Sequence, residues 1–487
     1  MKHDLIKKLT PILLAALIAV APALARAARR PVHDVRDSNG FTHSFRSEPS
    51  LHPPLISMSG IDPDANASGD IFTDAQNSIQ AGPMIISPQG QLIWFDPLPN
   101  RGFAHDVAVQ RYAGRTVLTY WQSNGGGQCV ILDHNYQPVV PPVRAGNGYG
   151  TGDHEFQITP QGTALIVADR TVPANLTSVK GPRNGTVQDE AVQEINIATG
   201  QVVWQWDADS HLRFTASYDD QPIASPWDFT HMNSIQQLPG GNLLVSIRNT
   251  WGVYEISKRT GRILWTLGGK HSSFKMGPGT QFHWQHDARM QRDGTITVFD
   301  DGSDGAQTNA RQSRALRIRL DFTHHRAMLV HAYTNRPPLL SDSQGNVQVL
   351  PDGNTFVGWG EQPYFTEFSR NGGRQLFTLH FPSPLQSYRG YRFQWWGAPT
   401  TPPSIAASTA SAGTTVYASW NGATNVAGWQ VLAGPSPGLL LPVEQFPSSN
   451  SFETQMGVSS TGPYFAVQAL DIRGQVLGTS ATIHSKP

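Results

Sequence analysis

Four histidines share one position in a repeating pattern. His105 lies nine residues before Gly114, His154 eight before Gly162, His231 ten before Gly241, and His286 eight before Gly294. In each case the glycine marks the first turn after a strand, so all four imidazoles fall near the start of equivalent strands. Polar residues accompany them. Asp153-His154-Glu155 opens one unit, Asp228-Phe-Thr-His231-Met-Asn233 the next, and Trp284-Gln285-His286-Asp287 another. Arg248 ends the strand that follows His231. Residues two apart on a strand face the same way, so His231 and Asn233 are expected on one face. Imidazole can act as nucleophile or proton carrier, and a guanidinium offers planar, charge-assisted bonds to a tetrahedral oxyanion. Histidines from several strands could instead ligate zinc or copper. A third reading is architectural, with His105-Asp106 and His286-Asp287 as pairs that staple neighbouring units. Convergent polar groups in a concavity favour a site.

The elements that would bring these residues together are short strands. Gly (46) and Pro (36) are abundant, hydrophobic residues make up 39%, and no long segment with helical spacing follows the N-terminus. A glycine followed four residues later by a large aromatic recurs as Gly90-Gln-Leu-Ile-Trp94, Gly200-Gln-Val-Val-Trp204, Gly261-Arg-Ile-Leu-Trp265 and, more weakly, Gly373-Arg-Gln-Leu-Phe377. A second turn appears as Thr159-Pro-Gln-Gly162, Pro239-Gly-Gly241, Arg292-Asp-Gly294 and Pro351-Asp-Gly353, each feeding an alternating strand. The spacing gives a period of about 55 residues with four strands per period. The chain therefore reads as all-β: a six-bladed β-propeller over residues 51–399, with the first strand of each blade innermost and the ring closed by pairing N- and C-terminal strands. The sixth blade has Gly345-Asn346 where others carry histidine.

Beyond Pro399-Thr-Thr-Pro-Pro403, read as a stiff linker, the character changes. Alternating segments such as Val416-Tyr-Ala-Ser-Trp420 and Tyr464-Phe-Ala-Val-Gln-Ala-Leu470 predict a small β-sandwich over residues 400–487, of fibronectin type III-like form. At the other end, Lys2, Lys7 and Lys8 precede the short apolar run 12–20 and the small residues Ala23-Leu-Ala-Arg-Ala27. Residues 1–27 thus read as a signal peptide and 28–50 as a linker, with a secreted or periplasmic protein as the expectation. The apolar run is shorter than a membrane span requires, and no other span is seen. Cys129 is the single cysteine, so no intrachain disulfide can form and cysteine-rich metal sites are excluded. The 36 basic and 36 acidic side chains balance, which gives no footprint for nucleic acid or an anionic membrane.

Three stretches carry a family resemblance: Asp153-His-Glu-Phe-Gln-Ile-Thr-Pro-Gln-Gly-Thr-Ala-Leu165, Thr230-His-Met-Asn-Ser234 with Ser246-Ile-Arg248, and Gln285-His-Asp-Ala-Arg289 with Val298-Phe-Asp-Asp-Gly302. In this order they resemble the arylsulfotransferase family over roughly residues 70–395. The resemblance implies a propeller that moves a sulfuryl group from an aryl sulfate to a phenol by a ping-pong route through a sulfohistidine, without metal or other cofactor. It implies His286 as the nucleophile, His231 and Arg248 as catalytic partners, His154 and Asn233 as substrate-binding residues, and a structural role for His105. It also sets aryl sulfates and phenols as the partners. The competing reading is a noncatalytic secreted propeller acting as a binding or adhesion scaffold. A quinone-cofactor dehydrogenase ranks last, because its tryptophan-docking repeats and vicinal cysteines are absent.

Overall fold

The computed structural model describes residues 41–60, 69–449 and 451–486. The expected signal peptide and most of the 28–50 linker lie outside these residues. Among the described residues no helix is long and apolar enough to cross a membrane.

Six sheets fill residues 57–393, and each has a core of consecutive antiparallel strands, the fifth adding the short parallel edge strand Lys275–Met276. The second sheet runs Ala104–Tyr112, Arg115–Gln122, Gln128–Leu132. The third runs Gly150–Ile158, Thr163–Ala174, Gly185–Asn196, Val202–Asp207. The fourth runs Met232–Gln237, Leu243–Ile247, Gly252–Ile256, Ile263–Gly268. The fifth begins with His286–Met290 and Thr295–Asp300, and the sixth with Asn346–Val349 and Thr355–Gly358. The first sheet is composite: the late strand Gly390–Phe393 pairs with Asp70–Ala75, followed by Gly82–Ile86 and Leu92–Phe95. The early strand Ser57–Ser59 in turn pairs with Gln375–His380 at the outer edge of the sixth sheet. Two chain ends are therefore interlocked at neighbouring sheets. The first strand of each sheet packs on the first strand of the next in cyclic order, including Gly390–Phe393 against Ala104–Tyr112. This ring of radially stacked sheets is a β-propeller.

The repeated glycines sit where the turn demands them. Gly90, Gly200 and Gly261 have φ of 77°, 72° and 69°, directly before the outermost strands. In the degenerate copy the left-handed residue is Gly372 at 69° rather than Gly373. The apolar faces of adjacent sheets then close on one another, as where Trp265, Leu267 and Val253 meet Val298, Leu316 and Ile318.

Inner strands diverge too far to pair as a sheet, so side chains join them. Asp106 accepts the Phe156 N–H (3.1 Å), Glu155 that of Ile235 (3.2 Å), and Ser234 that of Ala288 (3.0 Å). Asp287 accepts from Val347 (3.1 Å) and Asn346 from Gly390 (2.9 Å). A second tier of glutamines repeats the device two to four residues on: Gln110 to Ile158, Gln157 to Gln237, Gln236 to Met290 and Gln348 to Arg392. Buried backbone donors are thereby satisfied where no ladder can reach them.

After the ring, residues 404–484 form two sheets, Ser404–Ala410/Gly413–Ser419/Glu453–Val458 and Leu439–Pro447/Gly428–Ser436/Tyr464–Leu470/Val476–Thr479, closed over Val416, Trp429, Val431, Phe465 and Val467. This is a small β-sandwich. It is bonded to the first two sheets of the ring, not held off by a spacer. Asn421 exchanges hydrogen bonds with Phe95 N–H and C=O (3.0 and 2.9 Å), and Tyr136 donates to the Gly422 carbonyl (2.8 Å). Gly422 has φ 95°, and a Cβ there would overlap the Tyr136 ring, so glycine is required twice over.

Candidate active site

All four histidines lie at one end of the channel, where the inner strands begin. Each inner strand starts with a break in register, between His105/Ala108, Thr151/Phe156, Met232/Ser234 and His286/Arg289. Asp106, His231 and Asp287 there have φ of 55°, 54° and 52°. A bulge of this kind re-aims consecutive side chains. It lets the histidine and the acid after it serve different layers.

His286 is 1% exposed. Its register partner on the next strand is Phe299, so Asp301, just past that strand's end, lies beside the ring. Nδ1 is 2.9 Å from Asp301 Oδ2, and Nε2 accepts the Gln344 backbone N–H at 3.2 Å. The carboxylate fixes the tautomer: hydrogen on Nδ1, lone pair on Nε2. Burial first, then Arg248, His231, His154 and Arg389, hold the proton affinity of His286 well below the usual histidine value. That direction favours the neutral imidazole at neutral pH.

His231 and His154 stand next to it. The His231 and His286 ring centroids are 6.3 Å apart, and those of His154 and His231 4.7 Å. His154 Nδ1 meets Asp153 Oδ1 at 2.8 Å and His231 Nδ1 meets Asp228 Oδ2 at 2.6 Å, while their Nε2 atoms face each other at 3.1 Å. Proton counting follows from these contacts. With both Nδ1 atoms donating to carboxylates, an Nε2···Nε2 hydrogen bond needs one proton more than two neutral rings carry. The two Nε2 atoms are placed to share one proton, with Asp153 and Asp228 beside the rings. Burial lowers the proton affinity of His231 despite Asp228, and His154 and Arg248 add to the effect.

Arg248 follows the strand Leu243–Ile247, and its backbone N–H binds the His231 carbonyl at 2.9 Å. Its guanidinium donates to Asn249 Oδ1 (3.1 Å) and the Asp342 carbonyl (2.9 Å) and lies over the Trp284 ring, 5.1 Å from its centroid. Its Nε is buried without a partner. Asn233 is placed otherwise than alternation implies. The strand starts at Met232, after left-handed His231, so the two residues do not share a face. Asn233 is fully buried, with Nδ2 on the Gln285 carbonyl at 2.7 Å. It braces the residue before His286.

His105 lies on the far side, stacked on Tyr388 at 4.4 Å, with Nδ1 3.4 Å from Asp153 Oδ2. One carboxylate, Asp153, thus holds both His105 and His154. Neither His105 nor His286 pairs with the acid that follows it in sequence; Asp106 and Asp287 turn inward and join strands instead.

Beneath the imidazoles lies an ionic layer that the repeat reading missed. Arg389 is fully buried and donates to Asp106 (2.8 Å), Glu155 (3.4 Å) and the Asn233 carbonyl (2.6 Å). Arg289 donates to Asp287, Glu155 (both 2.7 Å) and the Ile235 carbonyl (2.9 Å). The layer separates the imidazoles from a cavity of about 290 Å³ at the other end, lined by Asp106, Glu155, Asp287 and Arg289. Tyr388 and Arg389 directly precede the closing strand Gly390–Phe393, which has no repeat signature. Asp301 did have a signal, the Asp-Asp-Gly that ends its strand. Among the described residues no cluster of three or more potential ligands has metal-site geometry.

Fold and site together define a propeller in which a carboxylate-backed histidine stands beside a histidine pair and an arginine. The Arylsulfotransferase (ASST) profile matches residues 108–378, more than half of the sequence, and the chain belongs to that family. No curated protein matches. Solved structures similar to it include a protein of unknown function from Bacteroides caccae (14% identity, TM-score 0.41, 66% of this chain and 98% of that one). Others are a streptogramin B lyase (10%, 0.34, 74% and 94%) and virginiamycin B lyase from Staphylococcus aureus (10%, 0.26, 85% and 96%).

Proposed function

We propose that this protein transfers a sulfuryl group from an aryl sulfate ester to a phenol through a sulfated His286. The observation that carries the reading is the buried Asp301–His286 pair, with the His231 ring 6.3 Å from that of His286.

In the first half-reaction the Nε2 lone pair attacks sulfur, the bond from sulfur to the aryl oxygen breaks, and that oxygen leaves with the electron pair. The proton shared by the His154–His231 pair neutralises the departing phenolate, a contribution typically of ~10²–10⁴-fold. Arg248 and the Gln344 N–H, which gives up its bond to Nε2, stabilise the sulfuryl oxygens. Positive charge on the sulfated ring is offset by Asp301. In the second half an incoming phenol oxygen attacks sulfur, the nitrogen–sulfur bond breaks, and the phenol proton restores the His154–His231 pair. Asn233 acts as a positioning residue through Gln285. No step calls for a metal or another cofactor. A leader over residues 1–27 would take the protein to the periplasm or outside the cell.

The test is nitrophenol release from 4-nitrophenyl sulfate with phenol as acceptor. Wild type should turn over only with acceptor present, and His286→Asn should lose ~10³–10⁴-fold in kcat. Without acceptor, mass spectrometry should find one sulfuryl group on the peptide bearing His286. Acceptor-dependent turnover undiminished in His286→Asn, or a folded wild type with no turnover, would sink the reading.

A further inference from the structure

The channel entrance has two unequal halves. His286 belongs to the fifth sheet, and His154, His231 and Arg248 to the third and fourth. The other half, over the first and second sheets, is a cavity of about 680 Å³ whose lining includes Ser78, Arg101, Phe103, His105 and Asp153. It abuts the histidine pair through Asp153, which binds His105 on one oxygen and His154 on the other.

Three observations mark it as a built site. Ser78 Oγ and His105 Nε2 are buried polar atoms without hydrogen-bond partners, although the His105 side chain is only 7% exposed. Buried polar groups are ordinarily satisfied, so two orphans in one cavity point to a ligand that satisfies them. Arg101 is exposed at the rim and makes no ion pair among the described residues, and it is held in the left-handed region at φ 58°. Phe103 supplies an aromatic wall, 5.0 Å from the His105 ring.

The chemistry is that of a small anion on an aromatic body. His105 Nδ1 faces the Asp153 carbonyl and carboxylate, both acceptors, so it carries hydrogen. Burial opposes a second proton, but the bond to Asp153 and the Asp153 and Asp74 carboxylates outweigh it and raise the proton affinity of the ring. His105 Nε2, without a partner in the protein, and Arg101 are then donors among the residues that line the cavity. Because the second and fifth sheets are opposite in the ring, a group bound here is remote from the sulfur position on His286.

We infer that this cavity is a subsite for an anionic ring substituent, such as a carboxylate, carried by the aryl substrate on the side away from its sulfate or hydroxyl. The inference rests on the sulfuryl-transfer reading for its orientation, but binding can be measured without turnover. Titration calorimetry should show 4-hydroxybenzoate binding wild type at least about fivefold more tightly than 4-hydroxybenzyl alcohol, in keeping with charge-assisted bonds. Arg101→Gln, at an exposed position that leaves the core untouched, should bring the two within about twofold. His105→Gln should weaken 4-hydroxybenzoate, while His286→Asn should keep the preference. Equal binding of the two compounds, no binding of either, or a preference that survives Arg101→Gln would overturn the subsite. Turnover of 4-nitrophenyl sulfate alongside any of those results would leave sulfuryl transfer standing. The preference without turnover would support the subsite and remove sulfuryl transfer.

Discussion

The imidazole layer and the ionic layer beneath it are built from adjacent residues, yet they obey opposite rules. In the lower layer Arg389 and Arg289 are surrounded by Asp106, Glu155, Asp287 and backbone carbonyls, and all their terminal guanidinium nitrogens have partners, with Arg389 Nε left over. In the upper layer His105 Nε2, Arg248 Nε and Asp301 Oδ1 are buried without one. Satisfied networks rigidify; unsatisfied groups hold free energy that a ligand can release. The bulge that opens each inner strand permits the division. It sends the histidine of each His-acid pair to the upper layer and the acid to the lower one.

The comparison breaks if the lower layer proves catalytic. Arg389→Met removes the cation from two buried carboxyls and should cost about 3–5 kcal/mol of stability. Chemical denaturation should register the loss as a lower midpoint. Turnover of the fraction still folded, read at low temperature, should stay within about fivefold of wild type. A collapse of kcat in a stably folded Arg389→Met protein would mean that the two layers act as one site.

Asp301 sharpens the comparison from the other side, because it is the fully buried carboxyl that holds the His286 imidazole. Asp301→Asn keeps the shape but weakens the hold on the Nδ1 tautomer. We expect a ~10²-fold fall in kcat with KM nearly unchanged, smaller than the loss at His286 because the nucleophile remains. Steady-state kinetics with 4-nitrophenyl sulfate decides it, and a change confined to KM would assign Asp301 to binding.

How far this division could be read from sequence differs by residue. The position of His105, His154, His231 and His286 in the repeat was legible because turns recur at fixed distances from inner strands. The pairing of an early with a late strand was legible as the closure that a ring of repeats requires. Asn233 was misplaced because alternation assumes a regular strand, and the chain bulges where it matters. The weakest glycine-aromatic copy was displaced by one residue, from Gly372 to Gly373, for want of a φ value. Arg389 and Tyr388 left no trace, since the closing strand Gly390–Phe393 completes a sheet whose other strands lie some 300 residues earlier. The Phe299-Asp-Asp-Gly302 segment was visible, but which acid would face His286 depended on register across the hairpin.

The smallest effect is a pH dependence that only the upper layer should produce. His286 has a folded proton affinity well below that of the unfolded chain, about 6.5. Below that pH the unfolded chain binds a proton that the folded protein refuses, so stability rises with pH there and falls on acidification. The contribution of His286 is about 1.4 kcal/mol per pH unit, from near pH 6.5 down to its folded value. His105 works the other way, because its raised proton affinity adds stability below the unfolded value that is lost as pH rises through the folded one. Wild type alone would report these two together with other buried groups, among them His231 and Asp301. The difference between wild type and His286→Asn isolates the term: denaturation at pH 7 and pH 5 should show wild type losing about 1–2 kcal/mol more than the variant. Equal losses in both proteins would mean that His286 accepts its proton when folded, and a protonated imidazole has no lone pair on Nε2 with which to attack sulfur.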